Sequence, residues 1–361
     1  MTSRLVGKAQ TVLGPVDAES LGVTLPHEHI LQDSSFLFIE PTDPKEKELG
    51  YQPLTLENLS WVLRHLFNNL DNLKLDSEER AIKELTLFKE AGGKTVVEQS
   101  VRGLSGDPRA LARISKATGL NIIMATGYYV SSTHPEALSR MSVEEVGEEL
   151  VRDVMIGMGD TGVRAGILKG AIGGAGLRPS SRIDTGDRKV LQACTFAQRH
   201  TGASLEVHNM RKDLAAEVLD TLKDAGADLR RTILLHADRW GTDPLIFPKL
   251  LQAGCYLEFD GFGTAELGLI PAAGFDYQMN DASRCDLVLK VIAQGYLKQL
   301  LISQDVWIKT RSQSYGGAGY AHLLCNVVPL MKHKGITEEQ IRTLLVENPK
   351  RILAFAEPAE K

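Results

Sequence analysis

GVTLPHEHI, residues 22–30, decides the fold. On a β-strand, alternation puts His27 and His29 on one face and Glu28 on the other. Two imidazoles two residues apart on a strand can hold one metal ion; on a helix the same spacing points them apart. By itself the pair also fits a surface turn. Later apolar runs end in the same way: LEVH ends at His208, TILLHAD contains His236, and LLISQD ends at Asp305. Ligand-type residues at the C-terminal ends of successive strands describe a metal centre at the mouth of a barrel.

Working outward, apolar runs alternate with amphipathic segments. Strands are expected over 22–29, 94–100, 121–127, 165–172, 203–208, 232–238, 255–262 and 300–306. Helices are expected over 77–91, 107–118, 143–158, 187–200, 212–225, 243–253, 281–294 and 321–332, with a closing pair over 337–346 and 349–356. Strand-then-helix units predict a parallel sheet covered by helices. Runs such as TVVEQ, IIMAT and TILLH suit strands buried on both faces. Eight units predict an α/β fold of the (β/α)8 TIM-barrel type, a single domain over 1–361, with a short N-terminal hairpin within 1–21. A doubly wound sheet is the alternative, but it needs a Gly-rich phosphate turn after the first strand, and none is present. Residues 31–76 read as a long loop with helical pieces around 56–70, on the side where barrel loops carry function.

Composition narrows the partners. The 361 residues carry a net charge of −5, which argues against a general nucleic-acid binder. No apolar run reaches the roughly 20 residues that cross a bilayer, and the first residues lack the apolar core of a signal peptide. Cys194, Cys255, Cys285 and Cys325 are spread without a C-x-x-C pair, as expected for reduced thiols in a cytoplasmic protein. The expected partners are a small-molecule substrate and, as an option, a second copy in a homodimer.

Barrel strands point their C-terminal ends at one face, so His27, His29, His208, His236 and Asp305 converge. Four imidazoles and a carboxylate suit zinc. Any one alone has a structural alternative: a core histidine, or a helix cap for Asp305. Lys169 lies inside the apolar run AGILKGAIG. Burial lowers the pKa of an amine. A neutral amine in a metal site can take up carbon dioxide, and the carbamate can bridge two cations. A lysine snorkelling from a strand end is the alternative. His200 and His322 fall on helices, and His65, His134 and His333 in polar contexts, so all five are left out.

These motifs, together with YGGAGY and ENP near the end, are similar to those of the phosphotriesterase family of the amidohydrolase superfamily. The resemblance runs from GKAQTVLGPV to VENPKRILAF, nearly the whole chain. It implies a binuclear centre: His27, His29 and Asp305 on the more buried metal, His208 and His236 on the more exposed one, and carboxylated Lys169 bridging them with a hydroxide. Many relatives have glutamate near that position, so the lysine implies the carbamate-using branch. Two cations activate a bridging water and polarise the scissile group. Asp305 would carry its proton to the leaving group, with Asp238 as relay or orienter.

Lactone-opening enzymes of this architecture use a tyrosine near the third strand and an arginine after the seventh. Tyr129 takes the tyrosine place. The arginine place falls near Asp260, Gly261 and Phe262, and Gly261 has no side chain to offer. A roomier pocket is expected there, lined by Tyr128, Trp240, Phe262 and Trp307. Lys309 and Arg311 would select an acidic group if they face the metals. The leading expectation is a metal-dependent hydrolase of carboxylic esters, a lactonase with phosphotriesterase side activity. The alternatives are an amidohydrolase of small N-acyl compounds, a dedicated organophosphate triesterase, and a ligand-binding protein without catalysis.

Overall fold

The computed structural model describes residues 5–173, 182–240, 246–264 and 279–359. β1 (Lys8–Thr11) and β2 (Gly14–Asp17) form the antiparallel N-terminal hairpin. The next strands are β3 (Thr24–Glu28), β4 (Gln32–Asp33), β5 (Lys74–Leu75), β6 (Thr95–Glu98) and β7 (Asn121–Gly127). They are followed by β8 (Ile167–Ile172), β9 (Leu205–Asn209), β10 (Thr232–Leu234), β11 (Tyr256–Phe259) and β12 (Leu300–Ile302). Eight of them form one sheet in the order β12-β11-β10-β9-β8-β7-β6-β3, and every pair is parallel. This is the expected barrel. β4 and β5 pair separately within the long first loop.

The sequence writes its helix ends plainly. Asp107 caps the helix Pro108–Thr118 by accepting from the Ala110 amide, proline occupies its first turn, and Gly119 follows it at φ 68°. Ser142 and Glu145 form a capping box on Val143–Met155. Of the helix expected over 243–253, residues 243–245 lie outside the described residues, and Phe247–Gln252 is helical. The segment expected over 321–332 begins with a π-helical turn, Leu323–Val327. The first loop holds more structure than its sequence suggested. Besides Leu56–Val62 it contains the helix Pro44–Tyr51, started by Asp43 and Pro44. No described helix is long and apolar enough to cross a membrane.

Strand alternation sorts side chains into two clusters. On β7, Ile122 and Met124 face the outer cluster under the helices, while Ile123 and Ala125 face the barrel interior. Val97, Ile167, Ile233, Tyr256 and Leu301 share that interior, closed below by Leu21, Ile352 and Leu353. Two residues further along the same faces come Gln99, Gly127, Lys169, Glu258 and Ser303, all buried. Two strands stop earlier than their apolar runs implied. His236 and Asp305 adopt left-handed backbone, at φ 60° and 54°, which ends the ladders after Leu234 and Ile302. Non-glycine residues rarely accept this region, and such strain collects at functional sites.

No regular ladder joins β12 to β3 among the described residues; the seam is closed largely by one side chain. Glu28 Oε1 accepts from the Gln304 amide at 2.9 Å and the Ser303 hydroxyl at 2.8 Å, and Oε2 accepts from the Val306 amide at 2.7 Å. Two longer backbone bonds, His29 N to Val306 O and Asp305 N to His27 O, cross the junction at 3.2 Å each, and the Ser303 hydroxyl accepts from the His27 amide at 3.1 Å. Burial pushes Glu28 up to about 8, against the pull of its donors. Removing the acceptor of such a buried set strands its three donors. Glu28→Ala is therefore expected to lower the unfolding free energy by about 3 kcal/mol or more in urea titrations. A loss under about 1 kcal/mol, the scale of one ordinary hydrogen bond, would mean that the seam holds without the carboxylate.

Candidate metal centre

His27 and His29 leave the end of β3 with both rings turned into the barrel mouth, and Asp305 arrives from across the seam. His27 Nε2 lies 3.4 Å and His29 Nε2 3.7 Å from Asp305 Oδ1. A second triad shares His27. Its Nδ1 lies 3.7 Å from Asp260 Oδ2, and His236 Nδ1 pairs with Asp260 Oδ1 at 2.7 Å. In each triad, His27–His29–Asp305 and His27–His236–Asp260, the ligand atoms lie within 4.8 Å of one another, and all the residues are buried. His208 completes the ring, its Nδ1 2.7 Å from His236 Nε2.

The residues fit a binuclear cation centre. Both ring nitrogens of His27 are buried with no hydrogen-bond partner, a costly state unless a cation takes the lone pair. Burial holds His29, His208 and His236 well below the usual imidazole range, so they stay neutral and able to ligate. Ser100 Oγ meets His29 Nδ1 at 2.9 Å. Asp260 grips His236 through both ring and backbone amide, at 2.7 and 2.9 Å. These contacts fix ring orientation and tautomer.

Lys169 is fully buried beneath these rings, its Nζ 3.3 Å from the Gln99 carbonyl and 5.9 Å from the centre of the Tyr129 ring. Burial lowers its pKa, partly offset by Glu206. The neighbouring strand must come close here. Gly127 sits at φ 151°, and a Cβ there would stand 1.8 Å from the Lys169 carbonyl oxygen, so only glycine fits.

The other candidates divide. Tyr129 reaches the centre, its hydroxyl 3.3 Å from His208 Nε2. Arg311 reaches it too, donating from Nη1 to the Asp305 carbonyl at 2.6 Å. Lys309 is committed to Asp71 at 2.6 Å and ties loop eight to the first loop. Trp307 packs with Phe67 in a small cluster of that loop. Trp240 is buried, its indole donating to the Asn209 carbonyl at 2.9 Å. Tyr128 turns to Glu149. Asp238 is buried against Arg284, which donates to it at 2.6 Å.

Among the described residues, the space beside Gly261 where a roomy pocket is expected is filled. A Cβ at that glycine would lie 2.3 Å from Arg284 Nη2 and 2.5 Å from Asp238 Oδ2. Phe262 is buried below the same guanidinium, 6.0 Å from its ring centre. An arginine from the following helix fills the volume.

Sequence reasoning missed Asp260 and Arg239. Asp260 follows the strand-end rule that finds the histidines, but in the sequence the glycine beside it draws the notice. Arg239 had no signal, because its role depends on the left-handed turn at His236. Its Nη2 donates to Asp305 Oδ2 at 2.7 Å and lies 3.7 Å from Asp260 Oδ1. Glu206 and Glu258 were also missed. Each stands two residues before a site residue on its strand, fully buried, with both oxygens lacking a partner.

Known proteins resemble this chain over nearly its full length. The model of the phosphotriesterase family matches residues 7–353. N-acetyltaurine hydrolase of Homo sapiens is 37% identical over 98% of this chain and 99% of its own length. The enzyme of that name from Dictyostelium discoideum is 35% identical over 98% of this chain and 100% of its own. The crystal structure of a resiniferatoxin-binding protein from Rhodobacter sphaeroides superimposes with a TM-score of 0.89 at 32% identity, covering 96% of this chain and 95% of that one. The chain belongs to the phosphotriesterase family and is a metal-dependent hydrolase of that family.

Proposed function

We propose that this hydrolase cleaves the amide bond of a small N-acyl compound whose amine portion ends in an acidic group, such as an N-acyl amino acid or aminosulfonate. The observation that carries the reading is the pair of guanidinium groups, Arg239 and Arg311, gathered on Asp305 at the metal-centre residues. A planar fork of donors suits a carboxylate or sulfonate. The resemblance to N-acetyltaurine hydrolases at 37% identity supports the same class. The lactone expectation leaned on an aromatic wall, and Trp240 and Phe262 are buried in the core. The amide reading now leads.

In this reading His27, His29 and Asp305 would hold one cation and His208 and His236 the other, with a carboxylated Lys169 as a further ligand and zinc as the metal. The cations would supply a Lewis acid for the scissile carbonyl and an acidified water. Asp305 carries a proton to the departing amine, a poor leaving group until protonated. Tyr129 orients the carbonyl from the His208 side. Asp238 acts at one remove, by anchoring with Arg284 the turn that carries Arg239.

Metal-loaded protein is expected to contain two ions per chain by elemental analysis, and chelation should abolish hydrolysis. Lys169→Ala should lose most activity and regain part of it with added short-chain carboxylic acids. Undiminished turnover in that variant would reduce Lys169 to a packed strand residue. The acid anchor has its own test. Arg239→Gln should cut kcat/KM for N-acyl amino acids or aminosulfonates by about tenfold or more relative to matched neutral amides, about 1.4 kcal/mol of lost binding. An equal loss on both substrates would remove Arg239 from substrate recognition.

A further inference from the structure

Glu28 ties the end of β3 to β12, and a second carboxylate grips the same strand end from the β6 side. Glu98 is the last residue of β6 and is fully buried. Its Oε2 accepts from the amide of Ile30, the residue after His29, and its Oε1 accepts from the Ser100 amide at 2.8 Å. The Ser100 side chain is almost as deep, and its hydrogen bond to Glu98 draws that carboxyl's pKa down against the effect of burial. The same Ser100 Oγ meets His29 Nδ1 at 2.9 Å. Carboxylate, hydroxyl and imidazole thus form a line out of reach of water.

The donors and acceptors of this line fit together in one order. Each oxygen of Glu98 already receives an amide, so Glu98 serves as an acceptor, and the Ser100 hydroxyl donates to it. The Ser100 oxygen is then left to accept. Burial keeps His29 neutral, with one N–H and one lone pair to place. The N–H belongs on Nδ1, facing Ser100. The lone pair falls on Nε2, which faces Asp305 Oδ1 at 3.7 Å. The opposite tautomer would turn the Ser100 hydrogen away from the carboxylate and set an N–H where a cation is to be held. We infer that Glu98, acting through Ser100, is a positioning residue for the metal centre: it holds the chain at Ile30 and the tautomer of His29, and so sets how tightly the triad of His27, His29 and Asp305 grips its cation. This inference rests on the reading of His29 as a metal ligand.

The test reads metal affinity and not turnover. Wild type, Ser100→Ala, Ser100→Thr and His29→Ala are stripped of metal and titrated with Zn2+ against a competing chelator. A cooperative urea transition checks that each metal-free variant is folded. Ser100→Ala should bind zinc about tenfold or more weaker than wild type, the scale set by partners that orient a ligand from behind. Ser100→Thr, which keeps the hydroxyl, should stay within about threefold. Unchanged affinity in Ser100→Ala overturns the inference. So does an equal loss in Ser100→Thr, or the disappearance of the cooperative transition in Ser100→Ala, because either makes Ser100 a packing residue. His29→Ala separates the two readings. If zinc affinity survives the loss of that imidazole, His29 is no ligand and the metal-ligand reading fails. If His29→Ala weakens binding and Ser100→Ala does not, only the role given to Glu98 and Ser100 falls.

Discussion

The barrel and its centre both hang on the carboxylate of Glu28. A parallel sheet of eight strands must close on itself or leave two bare edges. Here the closing edges meet over only a few residues, and Glu28 supplies acceptors to three donors on the far side. The residues it staples are the ones that matter. His27 and His29 flank it on one strand, and Asp305 lies between the Gln304 and Val306 amides that it receives on the other. Alternation forces this arrangement: with both histidines facing inward, the residue between them must face the seam. One carboxylate therefore closes the fold and sets the relation of three site residues.

Depth then decides what those residues are. In water four imidazoles would titrate near neutral pH, and protonated rings repel a cation. Buried under the mouth, His29, His208 and His236 are held well below that range. The same desolvation raises Glu206 to about 8, Glu98 to about 7 and Asp260 above its ordinary value. Acidic groups that resist ionising sit beside basic groups that resist protonation, in a space where the orphaned nitrogens of His27 mark the place for positive charge. A divalent ion would reverse much of this cost by giving each lone pair a partner.

The fold was legible because its signals are local. Apolar runs, caps such as Asp107 and Ser142, and one histidine pair at strand spacing each act within a few residues. The convergence of His27, His29, His208, His236 and Asp305 was legible because barrel topology turns sequence position into spatial position. Side-chain commitments were less so, because they are settled between distant segments. Lys309 looked like a rim cation four residues past Asp305, yet Asp71 claims it from the first loop. Trp240 looked like a pocket wall and is buried with its indole on the Asn209 carbonyl, whereas Trp307 packs on Phe67 beneath the Arg311 guanidinium. Arg239 was invisible because a left-handed turn at His236 re-aims the chain, and left-handed backbone at a histidine has no sequence signature.

Gly261 shows why an absence is the hardest thing to read in a sequence. The missing side chain suggested vacant volume beside the centre. Protein interiors are close-packed, so volume given up at one position is claimed from another. The claimant here is Arg284, 23 residues further along the chain, buried to 1% exposure. A buried guanidinium needs a carboxylate, and Asp238 provides it at 2.6 Å. Asp238 of that pair lies in the turn Ala237–Trp240, immediately before Arg239. The small residue at 261 is thus a condition for the Arg284–Asp238 pair, and the pair is a support for the guanidinium on Asp305. What began as a gap in the family pattern becomes part of how this chain holds a guanidinium on Asp305.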